Sequence, residues 1–155
     1  MKRVLFVTFL AIGIAYAQAG APPRFHFWSH SNIDSMANAL APQMNAYKFK
    51  SQEIGKESNH RYLVVHREGP GEAEYHATES DIVFVESGTA TLVCGGKIID
   101  PKNTAPNEIR GSGIQGGEER SIGPGDVIAI PPKLPHQVKA PANTHFNYFV
   151  VKVSE

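Results

Sequence analysis

From His60 onward, glycine and proline cut the chain into short apolar runs, and this punctuation limits its folds more than any other feature. RYLVVH is followed by Gly69-Pro70-Gly71, EAEYH leads into DIVFVE, and Ser87-Gly88 separates that run from TATLVC. Gly95-Gly96, Gly123-Pro124-Gly125-Asp126 and the stretch around Ala140-Pro141-Ala142-Asn143 divide EERSI, VIAIP, HQVK and the closing THFNYFVVKV. Each run is too short for a buried helix, and several alternate with the period of two that sends successive side chains to opposite faces of a sheet. About eight short strands joined by such turns predict an all-β sandwich or barrel.

Upstream, one helix is predicted near residues 32–41. Ile33, Met36, Ala37 and Leu40 recur at helical spacing and give a single apolar face. Ser31 with Asp34 suggests a capping-box start, and Pro42 a stop near Ala41. A peptide this short is marginal alone, so it must dock on the main body. Residues 100–117, DPKNTAPNEIRGSGIQGG, read instead as one long irregular loop, either a plain surface insertion or the cover of a cavity mouth.

The first residues read as an address. Lys2 and Arg3 precede the 12-residue apolar run from Val4 to Ala15, and small residues at Ala15, Ala17 and Ala19 suit cleavage before Gln18 or Gly20. A span would need roughly 20 apolar residues, so no stable membrane anchor is expected once residues 1–19 are removed. The expected location is periplasmic or secreted. Residues 20–59 then form an N-terminal extension and residues 60–155 the β domain. Removing Lys2 and Arg3 leaves 13 basic against 15 acidic residues, which provides no basic stripe for nucleic acid. The single cysteine, Cys94, sits in a strand-like run and reads as a structural thiol rather than a reactive one.

Four side chains are candidates for one chemical site. Glu74 and His76 are two apart on one predicted strand, so both point the same way; Asp81 begins the next strand. His136 follows the rigid turn PPKLPH, which aims it from a distant part of the chain. Imidazole and carboxylate are suitable donors for Mn, Fe, Zn, Ni or Co. The same residues also suit a polar cavity without metal, or a solvated hairpin face.

GPGEAEYHATESDIVFVESG resembles the first motif of the cupin superfamily, and GPGDVIAIPPKLPHQ resembles the second. Gly88 and Gly125 match turn glycines, Pro131 the central proline, His76 the second histidine of a His-x-His pair, and His136 the histidine of the second motif. Glu74 stands where the first histidine would be, Asp81 in place of a glutamate, and Lys133 in place of a glycine. The similarity runs from about His60 to Val153 and is to small bacterial cupin-domain proteins with a signal peptide. It implies a double-stranded β-helix, a jelly-roll barrel, with a divalent metal held by His76, His136, Asp81 and Glu74. His66, His145 and Asn147 lie on strands where they offer a further donor.

Three functions are open at this stage. An enzyme would use the metal to polarise a small substrate, in an oxygenase, isomerase or lyase reaction, with Glu74 as general base if burial raises its pKa. A binding protein would hold an unidentified small molecule between walls such as Tyr62, Tyr75, Phe84 and Phe149. A structural protein would use its apolar strands, TLVC and FVVKV, in a homodimer, which the resemblance also implies.

Overall fold

The computed structural model describes residues 25–155. The proposed signal segment lies outside them. In chain order the elements begin with α1 (His30–Asn38), a 3₁₀ turn (Ala41–Gln43), β1 (Phe49–Lys56), β2 (His60–Arg67) and β3 (Ala73–His76). Next come β4 (Glu79–Ser87), β5 (Ala90–Cys94), β6 (Lys97–Ile99), β7 (Lys102–Ala105) and β8 (Glu108–Gly111). The chain closes with β9 (Gly113–Gln115), β10 (Glu118–Ile122), β11 (Val127–Ile130), β12 (His136–Lys139) and β13 (Phe146–Ser154).

These strands form an antiparallel five-stranded sheet, β1-β2-β13-β4-β11, a six-stranded sheet, β10-β5-β12-β3-β8-β7, and the small pair β6-β9. Leu63, Val83, Val85, Tyr148 and Val150 from the first sheet meet Ala90, Leu92 and Val138 from the second in the core. This is the double-stranded arrangement expected, but the ladders among the described residues leave separate sheets rather than one closed ring. The turn glycines serve geometry. Gly88 has φ +78°, and a Cβ there would lie 2.1 Å from the His145 carbonyl oxygen.

The segment 100–117 differs from the loop reading, since it supplies β7, β8 and β9. β7 is exposed throughout, so no apolar alternation marks it. Its order comes from pairing with β8, which in turn pairs with β3. Asn107, at φ +65°, makes the turn between them. The five-stranded sheet also takes in β1, upstream of His60.

On the outer face of the first sheet, Ile33 and Leu40 pack against Val64, with Trp28, Met36 and Phe149 around them. Covering this face explains why Leu63, Val64 and Val65 of β2 are all buried instead of alternating. It also gives the outward residue Phe149 of β13 an intramolecular partner. Ser29, not Ser31, is the N-cap, and its hydroxyl accepts from the Asn32 N–H at 3.2 Å. Ser31 lies inside the first turn, because the helix begins at His30. Among the described residues no helix is long and apolar enough to cross a membrane. Cys94 is half-buried against the core, and burial pushes its thiol up.

A polar clamp centred on the buried Asn147 fixes α1. The Asn147 amide donates to Asp34 and Asn38, each at 2.8 Å, and the Ser87 hydroxyl donates to Asp34 at 2.7 Å. His66 Nδ1 meets the Asn147 amide oxygen at 2.7 Å. Hydrogen bonds from Asn147 and Ser87 hold the Asp34 carboxyl below its ordinary value of 3.8. Its stabilisation is therefore complete above that value and fades as pH falls through the depressed one. Asp34→Ala is expected to cost about 1–3 kcal/mol in urea unfolding near neutral pH. The difference from wild type should shrink in acid.

Candidate metal centre

Backbone pairing assembles the four candidates. Glu74 and His76 occupy β3, and His136, the first residue of β12, pairs directly with Glu74. Asp81 comes from β4 across the core, where it pairs with Lys152 of β13. The turn before His136 is fixed on β3, since Lys133, at φ +64°, donates its N–H to the His76 carbonyl at 2.8 Å. A left-handed residue is thus retained where the resemblance puts glycine.

One ligand atom from each of Glu74, His76, Asp81 and His136 lies within 4.8 Å of all the others. His76 Nε2 is 3.6 Å from Glu74 Oε2 and 3.4 Å from Asp81 Oδ2; His136 Nε2 is 3.9 and 3.7 Å from the same oxygens. Donors about 2.1 Å from an ion stand roughly 3.0–3.4 Å apart in octahedral or tetrahedral sites, so these four separations need contract by only a few tenths of an ångström. His76, Asp81 and His136 are buried and Glu74 is nearly so. Two imidazoles and two carboxylates in this spacing fit a divalent ion.

The protonation states favour that use in part. His136 Nδ1 lies 3.0 Å from the Leu134 carbonyl, to which it donates, leaving the Nε2 lone pair toward the cluster. Burial lowers its pKa, so the ring is neutral. Glu74 is held well below the usual carboxylate range: burial opposes this, but His76, Arg110, His136 and Arg67 outweigh it. The shift is opposite to the rise expected for a general base and suits an anionic donor instead. Asp81 is lowered too, because its bonds with His76 and Lys152 overcome burial.

His76 is different. Burial alone would lower its pKa, yet Asp81, Glu108 and Glu74 carry it up to about 10. Its Nδ1 meets Glu108 at 2.5 Å and its Nε2 meets Lys152 Nζ at 2.9 Å. Only one proton fits between Nε2 and Nζ.

A pH experiment on chelator-treated protein follows from these opposite shifts. The unfolded histidine value is 6.5. The His136 ring, neutral when folded, makes stability fall as pH drops below 6.5. Charged His76 contributes fully below 6.5 and loses its contribution as pH rises toward about 10. Thermal melts across pH should show His136→Gln flattening the acid-side slope and His76→Gln flattening the alkaline one.

Several participants were not legible in the sequence. Arg110 Nη1 donates to Glu74 at 2.8 Å, and β8 also delivers Glu108. Arg67, 1% exposed, reaches Glu74 at 3.4 Å and Tyr148 at 3.2 Å, with its guanidinium 4.6 Å from the Phe49 ring centroid. Gly71, at φ +60°, makes room for it, since a Cβ there would sit 1.6 Å from Arg67 Nη1. Lys152, 9% exposed, donates to both Asp81 oxygens at 2.6 and 2.9 Å. Glu108 and Arg110 are two apart on β8 and paired with His76 and Glu74, which puts all four on one face of the sheet, a signal hidden by the surrounding glycine and proline.

A cavity of about 160 Å³ opens above the cluster, with walls including Phe49, Leu63, Val83, Ile130 and Tyr148. Tyr62, Tyr75, Phe84 and Phe149 do not line it. Tyr62, Phe84 and Phe149 have the opposite strand parity and form an outer aromatic group, with Trp28 against Tyr62 and Phe149. His66 and Asn147 belong to the α1 clamp and His145 is exposed, so none of the three joins the donor cluster.

No family profile and no curated protein matches the sequence. Solved structures do match in shape. The chain superposes on a protein of Klebsiella pneumoniae with a double-stranded β-helix domain at a TM-score of 0.57, with 14% identity, covering 84% of this chain and 90% of that one. A cupin-2 domain protein of Rhodospirillum rubrum gives a TM-score of 0.50 at 15% identity, covering 70% of this chain and 61% of that one. Peruvianin-I, a cysteine peptidase from Thevetia peruviana latex, gives 0.49 at 12% identity over 72% of this chain. The chain spans only 64% of that protein's length. Fold and site together define a chain with the double-stranded β-helix fold of these structures and a candidate metal-chelating cluster.

Proposed function

We propose that this is an exported cupin-domain protein that binds a divalent metal and a small molecule in its β-sandwich cavity. The observation that carries the reading is the convergence of Glu74, His76, Asp81 and His136 below an open, largely apolar-walled cavity. Export rests on the basic, apolar and small-residue order of the first 19 residues.

A bound divalent ion supplies Lewis acidity toward an oxygen of a small substrate, the capability shared by oxygenase, isomerase and lyase reactions. The protein's contribution is orientation. Leu134 fixes the tautomer of His136, Arg110 and Arg67 anchor Glu74, and Glu108 holds the far nitrogen of His76. Phe49, Leu63 and Val83 exclude water from one side of the bound molecule. Glu74, kept ionised, serves as a ligand. The reading includes a homodimer, supported by the exposed apolar side chains Phe25, Phe27 and Val127.

The test is metal content. Protein expressed without a histidine tag and dialysed against Mn²⁺ or Zn²⁺ should retain one ion per chain by mass spectrometry. The same folded chain carrying His76→Ala and His136→Ala should retain none. Equal retention by the two proteins would place the metal elsewhere. A second reading, small-molecule binding without metal, is favoured by one observation: Lys152 already supplies a positive charge to Asp81.

A further inference from the structure

Lys152 is a buried cation on a central strand, and it contacts the atoms that a metal would need. Its ammonium lies 2.6 and 2.9 Å from the two Asp81 oxygens and 2.9 Å from His76 Nε2. Asp81 Oδ2 and His76 Nε2, only 3.4 Å apart, are also members of the donor cluster. The single lone pair of His76 Nε2 cannot serve both an ammonium and a divalent ion, and the same ammonium occupies acceptor sites on both Asp81 oxygens. The placement is set by the fold, because Lys152 pairs with Asp81 on one side and Arg61 on the other. Two cations directly opposed on neighbouring strands repel. Each is paired with an acid, Lys152 with Asp81 and Arg61 with Glu79 at 2.8 Å.

Charge balance supports the same view. Glu74, Asp81 and Glu108 bring three negative charges to the site, and Arg67, Arg110 and the His76–Lys152 pair, with one proton between its two nitrogens, bring three positive ones. The two arginines engage Glu74, and Arg110 lies 3.6 Å from Glu108, leaving Lys152 as the cation of Asp81. Buried acids without a counter-charge are strongly penalised, so a chain built to hold these donors together before loading needs such a cation.

We infer that Lys152 is a built-in counter-cation of the donor cluster, which keeps the donors assembled without metal and sets the affinity by having to be displaced. The inference rests on the metal-binding reading above and specifies how that site is regulated. It makes the site weak and selective: only an ion whose interaction with Asp81 and His76 exceeds that of the ammonium enters.

Calorimetric titration of the chelator-treated full chain with ZnCl₂ and MnCl₂ tests this, comparing wild type with Lys152→Met and Lys152→Gln. Removing the competitor should tighten binding on the order of tenfold or more, the scale on which groups contacting metal ligands tune affinity. Without metal, Lys152→Met should melt below wild type, with the deficit recovered on adding Zn²⁺. Lys152→Gln keeps a donor to Asp81 and provides a folded comparison if the methionine variant does not fold. Tighter binding by either folded variant supports the inference, including the case where wild type binds no metal measurably. Unchanged or weaker binding by the variants, with wild type still binding, overturns the inference and leaves the metal site standing. Absence of binding in all three proteins overturns the metal reading itself.

Discussion

His136→Ala is expected to reduce divalent-metal affinity at least about 100-fold, since even groups outside the donor set are worth 10- to 100-fold. The neutral ring presents an oriented lone pair, fixed by its bond to the Leu134 carbonyl, and no neighbouring histidine replaces it. Circular dichroism should show the β fold retained, because His136 pairs through its backbone with Glu74 and Cys94 whatever its side chain. Calorimetry with Zn²⁺ and Mn²⁺ measures the loss. A modest decrease of a few-fold would mean that His136 lines the cavity without holding an ion.

The second large effect is on folding. Arg67→Met is expected to destabilise the protein by about 3–5 kcal/mol, the usual result of removing one partner from a buried charge pair. Arg67 is almost fully enclosed, and its guanidinium touches Glu74, Tyr148 and the Phe49 ring. Glu74 would keep Arg110, which limits the loss at that carboxylate but not at Tyr148. Urea unfolding measures the difference. The metal affinity of any remaining folded protein should also fall, because Glu74 would be less firmly oriented. A loss below 1 kcal/mol would show that the Arg67 contacts contribute little net stability.

The parts legible in the sequence are those written locally. Turns at Gly69–Gly71, Ser87-Gly88 and Gly123–Asp126 need particular backbone geometry, and apolar runs between them mark strands whichever partner they find. Glu74 and His76 share a face by simple parity, and the proline-rich turn fixes His136. What was hidden depends on partners distant in sequence. β7 and β8 lack an apolar face and exist through pairing, so Glu108 and Arg110 looked like loop residues. Tyr62 and Phe149 are as apolar as the true cavity walls, but covering by the Trp28 segment and α1 decides that they belong outside. Lys152 reads as a charged break in a strand until its register with Asp81 is known.

The most direct measurement is anomalous diffraction from crystals soaked in Mn²⁺ or Zn²⁺ and recorded at the metal edge. The account requires one strong peak within about 2.0–2.3 Å of donors from Glu74, His76, Asp81 and His136, with Lys152 Nζ withdrawn from Asp81. A cluster without a peak, and Lys152 still bonded to both Asp81 and His76 at saturating metal, would contradict it.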